Sequence, residues 1–391
     1  MAIPYGRQSI SSDDIRAVSE VLKSDFLTQG PVVPKFEAAL SEWCGAKFAI
    51  AANSATSALH LACMALGLQR GDRVWTSPIT FVASANCARY CGADVDFVDI
   101  DPRTYNLSPA RLAEKLSIAK KSGTLPKVVI PVHLSGQSCD MEAIHKLSKE
   151  YGFSIIEDAS HAVGGSYKGK PIGGCQFSDI TIFSFHPVKI ITTGEGGMAM
   201  TNDKALANSM ARLRTHGISR DPADMQSAPD GTWYYEQLDL GYNYRLTDVA
   251  AALGLSQLER IDKFVSRRHE ITDSYNAMFA DTPVKRPWQH PDTYSAFHLY
   301  IARVDFEPLR TTKKEVFEKL HADGIMANLH YIPVYRQPYY QQFGYSSSDY
   351  PESEKYYSEA ISLPMYPDLS DDDQSFVVKA LLSAIGESSK N

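Results

Sequence analysis

Seven short apolar runs punctuate the first two-thirds of the chain: 47–51 (KFAIA), 73–76 (RVWT), 94–99 (DVDFVD), 127–132 (KVVIPV), 153–157 (FSIIE), 179–185 (DITIFSF) and 197–201 (GMAMT). Several are continuously apolar rather than alternating. That pattern suits strands covered on both faces, the condition of a parallel sheet between helices. The intervening segments carry a helical period. In 54–66, Ala55, Ala58, Leu59, Ala62, Cys63 and Leu66 recur at three and four residues. In 141–151, Met141, Ile144, Leu147 and Tyr151 do the same, and Gly152 follows as a helix terminator. Strand–helix–strand alternation predicts an α/β domain with a mostly parallel sheet.

The pattern changes near residue 250. The periodicity predicts one long helix over 248–280, then strands over 298–305 and 326–331 and helices over 312–323 and 371–386. This reads as a smaller α+β domain. The expected division is a large domain over 1–250 and a small one over 251–391.

Charge narrows the function. Lys and Arg number 39 against 46 Asp and Glu, a net charge of −7. Proteins that bind nucleic-acid backbones carry a basic surplus, so that class is disfavoured. The six cysteines contain no CxxC pair. They fit neither a disulfide framework nor a zinc site, and no metal is expected. The opening residues lack an apolar stretch behind a basic head. No apolar run reaches the roughly 18 residues of a membrane span. The expectation is a cytoplasmic protein without membrane partners.

Three features fall at the ends of apolar strands, where ligands gather in open α/β sheets. The first is NSATSALHL at 53–61, small residues that open a helix directly after a strand. Free backbone N–H groups there, with hydroxyls from Ser54, Thr56 and Ser57, would cradle a phosphate. A plain N-cap would use the same residues. The second is Asp158, ending FSIIED. A carboxylate at a buried strand end needs a partner, either a protonated ring nitrogen or a nearby cation. The third is Lys189, a short turn beyond FSF. A surface lysine would read the same way, but a desolvated amine here could attack a carbonyl. Pyridoxal phosphate needs all three: a phosphate cradle, an acid for its ring nitrogen and a lysine for its aldehyde. Phe81, just past the strand at 73–76, could cover the ring.

The motifs NSATSALHLA, TSPITFVASANC, IIEDASHAVGG, FSFHPVKIITTGEGG and GYNYRLTDVAAALGLSQL occur in that order. Together they resemble the DegT/StrS-type sugar aminotransferases, pyridoxal-phosphate enzymes of fold type I. The resemblance runs from SDFLTQGPVVPKFE to ISLPMYPDLSDDD. It implies that Lys189 is the Schiff-base lysine and Asp158 the acid facing the ring nitrogen. Phe81 matches the stacking aromatic. His161 stands where many members carry Gln, near the other ring face or the ring hydroxyl. Ala55, Thr56 and Ser184 match phosphate ligands. Asn243 matches a phosphate ligand supplied by the neighbouring subunit, which implies a homodimer with shared active sites. Sugar dehydratases on the same fold replace the lysine by histidine, so Lys189 points away from them.

Within the family, TFVASANC, SHAVGG and LTQGP look closest to the C4 aminotransferases of pseudaminic acid biosynthesis. Their substrate is a UDP-linked 2-acetamido-2,6-dideoxy-4-keto-L-sugar, with L-glutamate as amino donor. Candidate substrate contacts are Tyr5, the segment Asp25, Phe26, Leu27 and Thr28, and the late residues His330, Tyr331, Tyr335 and Arg336. Aromatics can stack on uracil, and arginine can neutralise a diphosphate. Arg245 could meet the glutamate carboxylate. Packing or salt bridging would account for each of these residues equally well. Another nucleotide ketosugar, GDP-linked or with a 3-keto group, is the alternative acceptor.

Overall fold

The computed structural model describes residues 2–386; the last five positions of the expected small domain, 387–391, lie outside the described residues. A two-residue strand β1 (Ile3–Pro4) precedes helices α1 (Ser12–Leu22) and α2 (Val32–Cys44). The predicted runs become β2 (Phe48–Ala52), β3 (Arg73–Thr76), β4 (Asp94–Phe97), β5 (Val128–Ile130) and β6 (Ser154–Asp158). A hairpin of β7 (Ser166–Tyr167) and β8 (Lys170–Pro171) follows, then β9 (Ile180–Ser184) and β10 (Gly197–Thr201). Helices α3 (Ala55–Ala65), α4 (Ala83–Tyr90), α5 (Pro109–Ser122), α6 (Met141–Tyr151) and α7 (Lys204–Leu213) complete this part.

The seven main strands form one sheet in the order β2-β10-β9-β6-β5-β3-β4. Only β10 runs antiparallel to its neighbours. Alternate residues feed different cores. Ile180 and Ile182 pack with Leu59, Ala62 and Ile130 on one side. Phe183 packs with Phe36, Leu40 and Met198 on the other. Two buried faces explain why the strands read as continuous apolar runs.

The expected single helix over 248–280 is two helices, α8 (Asp248–Leu258) and α9 (Ile261–Met278). No Gly or Pro marks the break. Its cause lies far away in sequence, at Asp14 in α1. This buried carboxylate accepts from Ser256 Oγ at 2.7 Å and Gln257 Nε2 at 2.8 Å, and pairs with Arg260. Arg260 leaves helical geometry at φ −112°, ψ 9°. Tertiary anchoring overrides a helical pattern that the local residues support.

A second core gathers Ile271, Tyr275, Phe279, Tyr300, Ile361 and Leu381. The change of core falls inside α9, because Phe264 and Val265 still belong to the first. The chain's start also joins the second core: Ile3 pairs with Ile325. The late strand-like segments are shorter than predicted. Tyr300–Arg303 pairs with Ala360–Leu363, and only Ile325–Met326 of the second segment is a strand. The late helices span Lys313–Ala322 and Asp371–Ala384, close to expectation. No described helix is long and apolar enough to cross a membrane.

Candidate active site

Strands β2, β6 and β9 end on the same edge of the sheet, and antiparallel β10 begins there. Gly197 faces both Ala52 and Ser184 across the ladders. Over this edge lies a cavity of about 530 Å³. Tyr5, Ala55, Thr56, Phe81, Asp158, His161, Ser184, Lys189, His330 and Tyr331 all line it. Residues predicted from separate motifs thus meet in one space.

At one wall, α3 starts immediately beyond β2. Ser54 caps it, accepting from the Ser57 amide at 3.0 Å. The Ser57 hydroxyl donates to Asn53 Oδ1 at 2.6 Å and lies 2.9 Å from Ser54 Oγ. Those two hydroxyls take part in the helix cap, and Ser54 also lines the cavity. The amides of Ala55 and Thr56, at the first turn, lack intrahelical acceptors, and Thr56 keeps its hydroxyl. A Cβ on Gly197 would sit 2.5 Å from the Ala55 nitrogen. Only glycine in β10 lets the helix start descend onto the strand.

Asp158 ends β6 and is 4% exposed. Ser84 donates to Oδ2 at 2.6 Å. Ser160 donates to Oδ1 through its hydroxyl at 2.6 Å and its amide at 3.1 Å. These bonds orient the carboxylate and leave capacity for a further donor.

Lys189 sits in the β9–β10 connection, where its amide donates to His186 O at 2.9 Å. The loop closes through Thr193 N to Phe185 O at 3.0 Å and Thr192 Oγ to Phe185 O at 2.9 Å. Burial lowers the Lys189 pKa to about 8, although Asp158 pulls it upward. A substantial neutral fraction is therefore available near neutral pH.

Three imidazoles border the amine. Burial, the Lys189 charge and His330 drive the His161 pKa well below its usual value. Burial and Lys189 do the same to His298, with smaller contributions from other nearby cations. His330 is lowered to about 3, chiefly by burial. Neutral rings beside Lys189 avoid a cluster of like charges. Phe81 is 59% exposed at the cavity, an uncovered apolar face.

Other predicted residues lie elsewhere. Tyr335 packs edge-on to Phe97 and donates to Glu354 at 2.7 Å. Arg336 is bound by the same Glu354 carboxylate through two nitrogens. Neither residue lines the cavity, and the same local acid engages both. Asp25, Phe26, Leu27 and Thr28 form an exposed segment against the start of α8, where the Asp248 amide donates to Leu27 O at 3.0 Å. Arg245 is half-buried and does not line the cavity. Asn243 is exposed, and its carbonyl accepts from Asn53 Nδ2 at 3.3 Å.

Residues that sequence reasoning passed over also line the cavity: Ser160, Glu195, His298 and Asn328. Ser160 had a signal, since Asp-x-Ser at a strand end forms local side-chain turns. His298 had none, standing in an ordinary apolar stretch.

The cavity fits pyridoxal phosphate. It offers free amides at a helix start, an oriented carboxylate, an uncovered aromatic and a buried amine. Comparison with known proteins agrees. Residues 8–382 match the model of the DegT/DnrJ/EryC1/StrS aminotransferase family. The chain is 41% identical over 382 residues to the spore coat polysaccharide biosynthesis protein SpsC of Bacillus subtilis, covering 97% of this chain and 96% of that one. It is 38% identical over 384 residues to the UDP-4-amino-4,6-dideoxy-N-acetyl-beta-L-altrosamine transaminase of Campylobacter jejuni, covering 98% and 97%. Among solved structures, Helicobacter pylori PseC, an aminotransferase involved in the biosynthesis of pseudoaminic acid, superposes with a TM-score of 0.89. That match has 33% identity and covers 99% of this chain and 100% of PseC. Structural neighbours have been solved in PLP and PMP forms. The chain belongs to the DegT/DnrJ/EryC1/StrS aminotransferase family and is a pyridoxal-phosphate-dependent sugar aminotransferase.

Proposed function

We propose that the enzyme moves an amino group from L-glutamate to C4 of a UDP-2-acetamido-2,6-dideoxy-4-keto-L-hexose. The product would be UDP-4-amino-4,6-dideoxy-N-acetyl-beta-L-altrosamine, a step of pseudaminic acid biosynthesis. The observation that carries this reading is the cavity joining Lys189, Asp158 and the α3 start, taken with end-to-end similarity to a transaminase named for that product.

When bound, pyridoxal phosphate supplies an aldehyde carbon and a ring that takes up electron density from a breaking bond. The protein's part is positioning and proton transfer. The amides of Ala55 and Thr56, with the Thr56 and Ser184 hydroxyls, hold the phosphate. Asp158, oriented by Ser84 and Ser160, would hold a proton on the ring nitrogen. Phe81 covers one ring face and excludes water. Lys189 would take the proton from Cα of glutamate. It returns a proton to C4 of the sugar in the second half of the cycle. A pKa near 8 suits both duties.

Tyr5, His330 and Tyr331 are the cavity's candidates for contact with the sugar nucleotide. We assign Asp25, Phe26, Leu27, Thr28, Asn243 and Arg245 to the partner subunit's site in a cytoplasmic homodimer. The smaller domain, 251–391 in this reading, contributes His298 and His330 to the cavity lining.

The test supplies purified enzyme and glutamate with this ketosugar, a GDP-4-keto sugar and a 3-keto sugar, following amino-sugar formation by mass spectrometry. Preferential amination of the UDP-4-keto-L-sugar is expected. Preference for another acceptor would replace the substrate assignment, and the similarity to SpsC, named for spore coat polysaccharide biosynthesis, makes that comparison necessary.

A further inference from the structure

Ser135 adopts a left-handed backbone conformation, φ 62°, in the turn after β5. The turn aims its amide N–H at His161 Nδ1, 3.3 Å away. It has little freedom to move, because a Cβ on neighbouring Gly136 would lie 2.9 Å from both His161 O and Phe297 N. A ring nitrogen that accepts a hydrogen bond carries no proton, so neutral His161 holds its proton on Nε2. Protonating Nδ1 would set two N–H groups against each other.

His161 Nε2 lies 3.0 Å from the Tyr331 hydroxyl oxygen. With the proton on Nε2, the ring donates and the phenol oxygen accepts. Tyr331 must then send its own proton elsewhere. Its ring is held between Phe81, at 6.1 Å, and His161, stacked at 6.0 Å and 25°. It lines the same cavity as Lys189. Burial and the Asp158 charge raise the phenol pKa, so the proton is retained for donation.

We infer that Tyr331 donates a hydrogen bond to an oxygen bound beside Lys189, and that His161 is its positioning residue. The Ser135 amide sets the tautomer, His161 orients the phenol, and the phenol proton faces the ligand. The acceptor is an oxygen of the cofactor ring or of the sugar. This inference rests on the aminotransferase assignment and gives His161 an indirect role, acting through Tyr331 rather than on the ring.

The experiment compares wild type, Tyr331→Phe, His161→Gln and His161→Phe, each checked for unchanged thermal midpoint. In cofactor-free protein with 15N-labelled histidine, NMR should find His161 as the Nε2–H tautomer. A proton on Nδ1 would overturn the inference. In loaded Tyr331→Phe, a shifted pH midpoint of the cofactor absorbance identifies the ring oxygen as acceptor. An unmoved midpoint with an approximately tenfold higher KM for the ketosugar, and a preserved glutamate half-reaction, identifies the sugar oxygen. If neither quantity moves, the inference falls. His161→Phe should reproduce the Tyr331→Phe defect, whereas His161→Gln, whose amide can donate, should restore most of it; equal defects would also overturn the positioning role. Failure of wild type to aminate any ketosugar would defeat the parent reading while leaving the NMR result to stand separately.

Discussion

Ser84 donates its hydroxyl to Asp158 Oδ2 across 2.6 Å, although 74 residues separate them. Ser84 lies in α4, the helix after β3, and β5 lies between β3 and β6 in the sheet. Removing it leaves the carboxylate with only Ser160 among its hydroxyl donors. A hydrogen bond to a charged group is worth about 1.5–3 kcal/mol. Ser84→Ala should lower kcat by about tenfold or more at little cost to the melting temperature. Asp158→Asn should lower it further, since the amide cannot hold a proton on the ring nitrogen. Steady-state kinetics beside a thermal melt checks both, and normal turnover in Asp158→Asn would remove the carboxylate from the mechanism.

Lys189 offers a pH test. Its folded pKa of about 8 lies below the usual 10.5. Between these values the unfolded chain binds a proton that the folded chain does not, so this group adds stability as pH rises through the window. The contribution is complete above the unfolded pKa and is lost as pH falls through about 8. Cofactor-free Lys189→Met should therefore gain stability relative to wild type near neutral pH and lose that advantage in alkali. Pulse acylation with peptide mapping should give Lys189 a reactivity midpoint near 8, and a midpoint matching solvated lysines would contradict the buried amine. Lys189→Ala should keep the fold and abolish turnover.

Much of this site was legible because its chemistry is local to strand ends. Lys189, Asp158, Phe81 and the 53–57 turn each follow an apolar run, and a parallel sheet brings such ends together. What escaped was decided by distant partners. Asp14 breaks a helix more than two hundred residues away through Ser256, Gln257 and Arg260. Glu354 engages Tyr335 and Arg336, neither of which lines the cavity. The hydroxyls of Ser54 and Ser57 also serve the α3 cap, a second use that the spacing alone does not separate from ligand binding.

The Asp14 anchor has a measurable cost. Its side chain is 1% exposed and pairs with Arg260. Removing one member of a buried charged network costs about 3 kcal/mol. Asp14→Ala should lose roughly that much in urea unfolding, with kcat per folded molecule nearly unchanged. A loss below about 0.5 kcal/mol would mean that the α8–α9 break does not depend on this carboxylate.

Gly197→Ala tests the descent of α3 onto β10. The added carbon would meet the Ala55 nitrogen at 2.5 Å, and backbone on both sides limits relief. Overpacking costs typically 1–3 kcal/mol. The displaced amides would also bind phosphate less well. Weaker cofactor retention on dialysis is expected together with a lower melting temperature. Wild-type retention in this variant would show that the α3 amides do not hold the phosphate.

The proposed sharing of sites between two subunits makes the final prediction. Asn243 is exposed on its own subunit, beside Asn53 near the α3 start, so its side chain is available to a second chain. Asn243→Ala should weaken cofactor retention, and Lys189→Ala should be inactive. In a hybrid of the two variants, one site would combine intact Lys189 from one chain with intact Asn243 from its partner. Random reassembly of an equal mixture makes half the dimers hybrid, each with one intact site of two. Mixing should therefore recover about a quarter of wild-type turnover. Recovery no greater than the sum of the separate variants, with subunit exchange verified by mass, would place Asn243 outside the partner's site and leave each subunit catalytically self-contained.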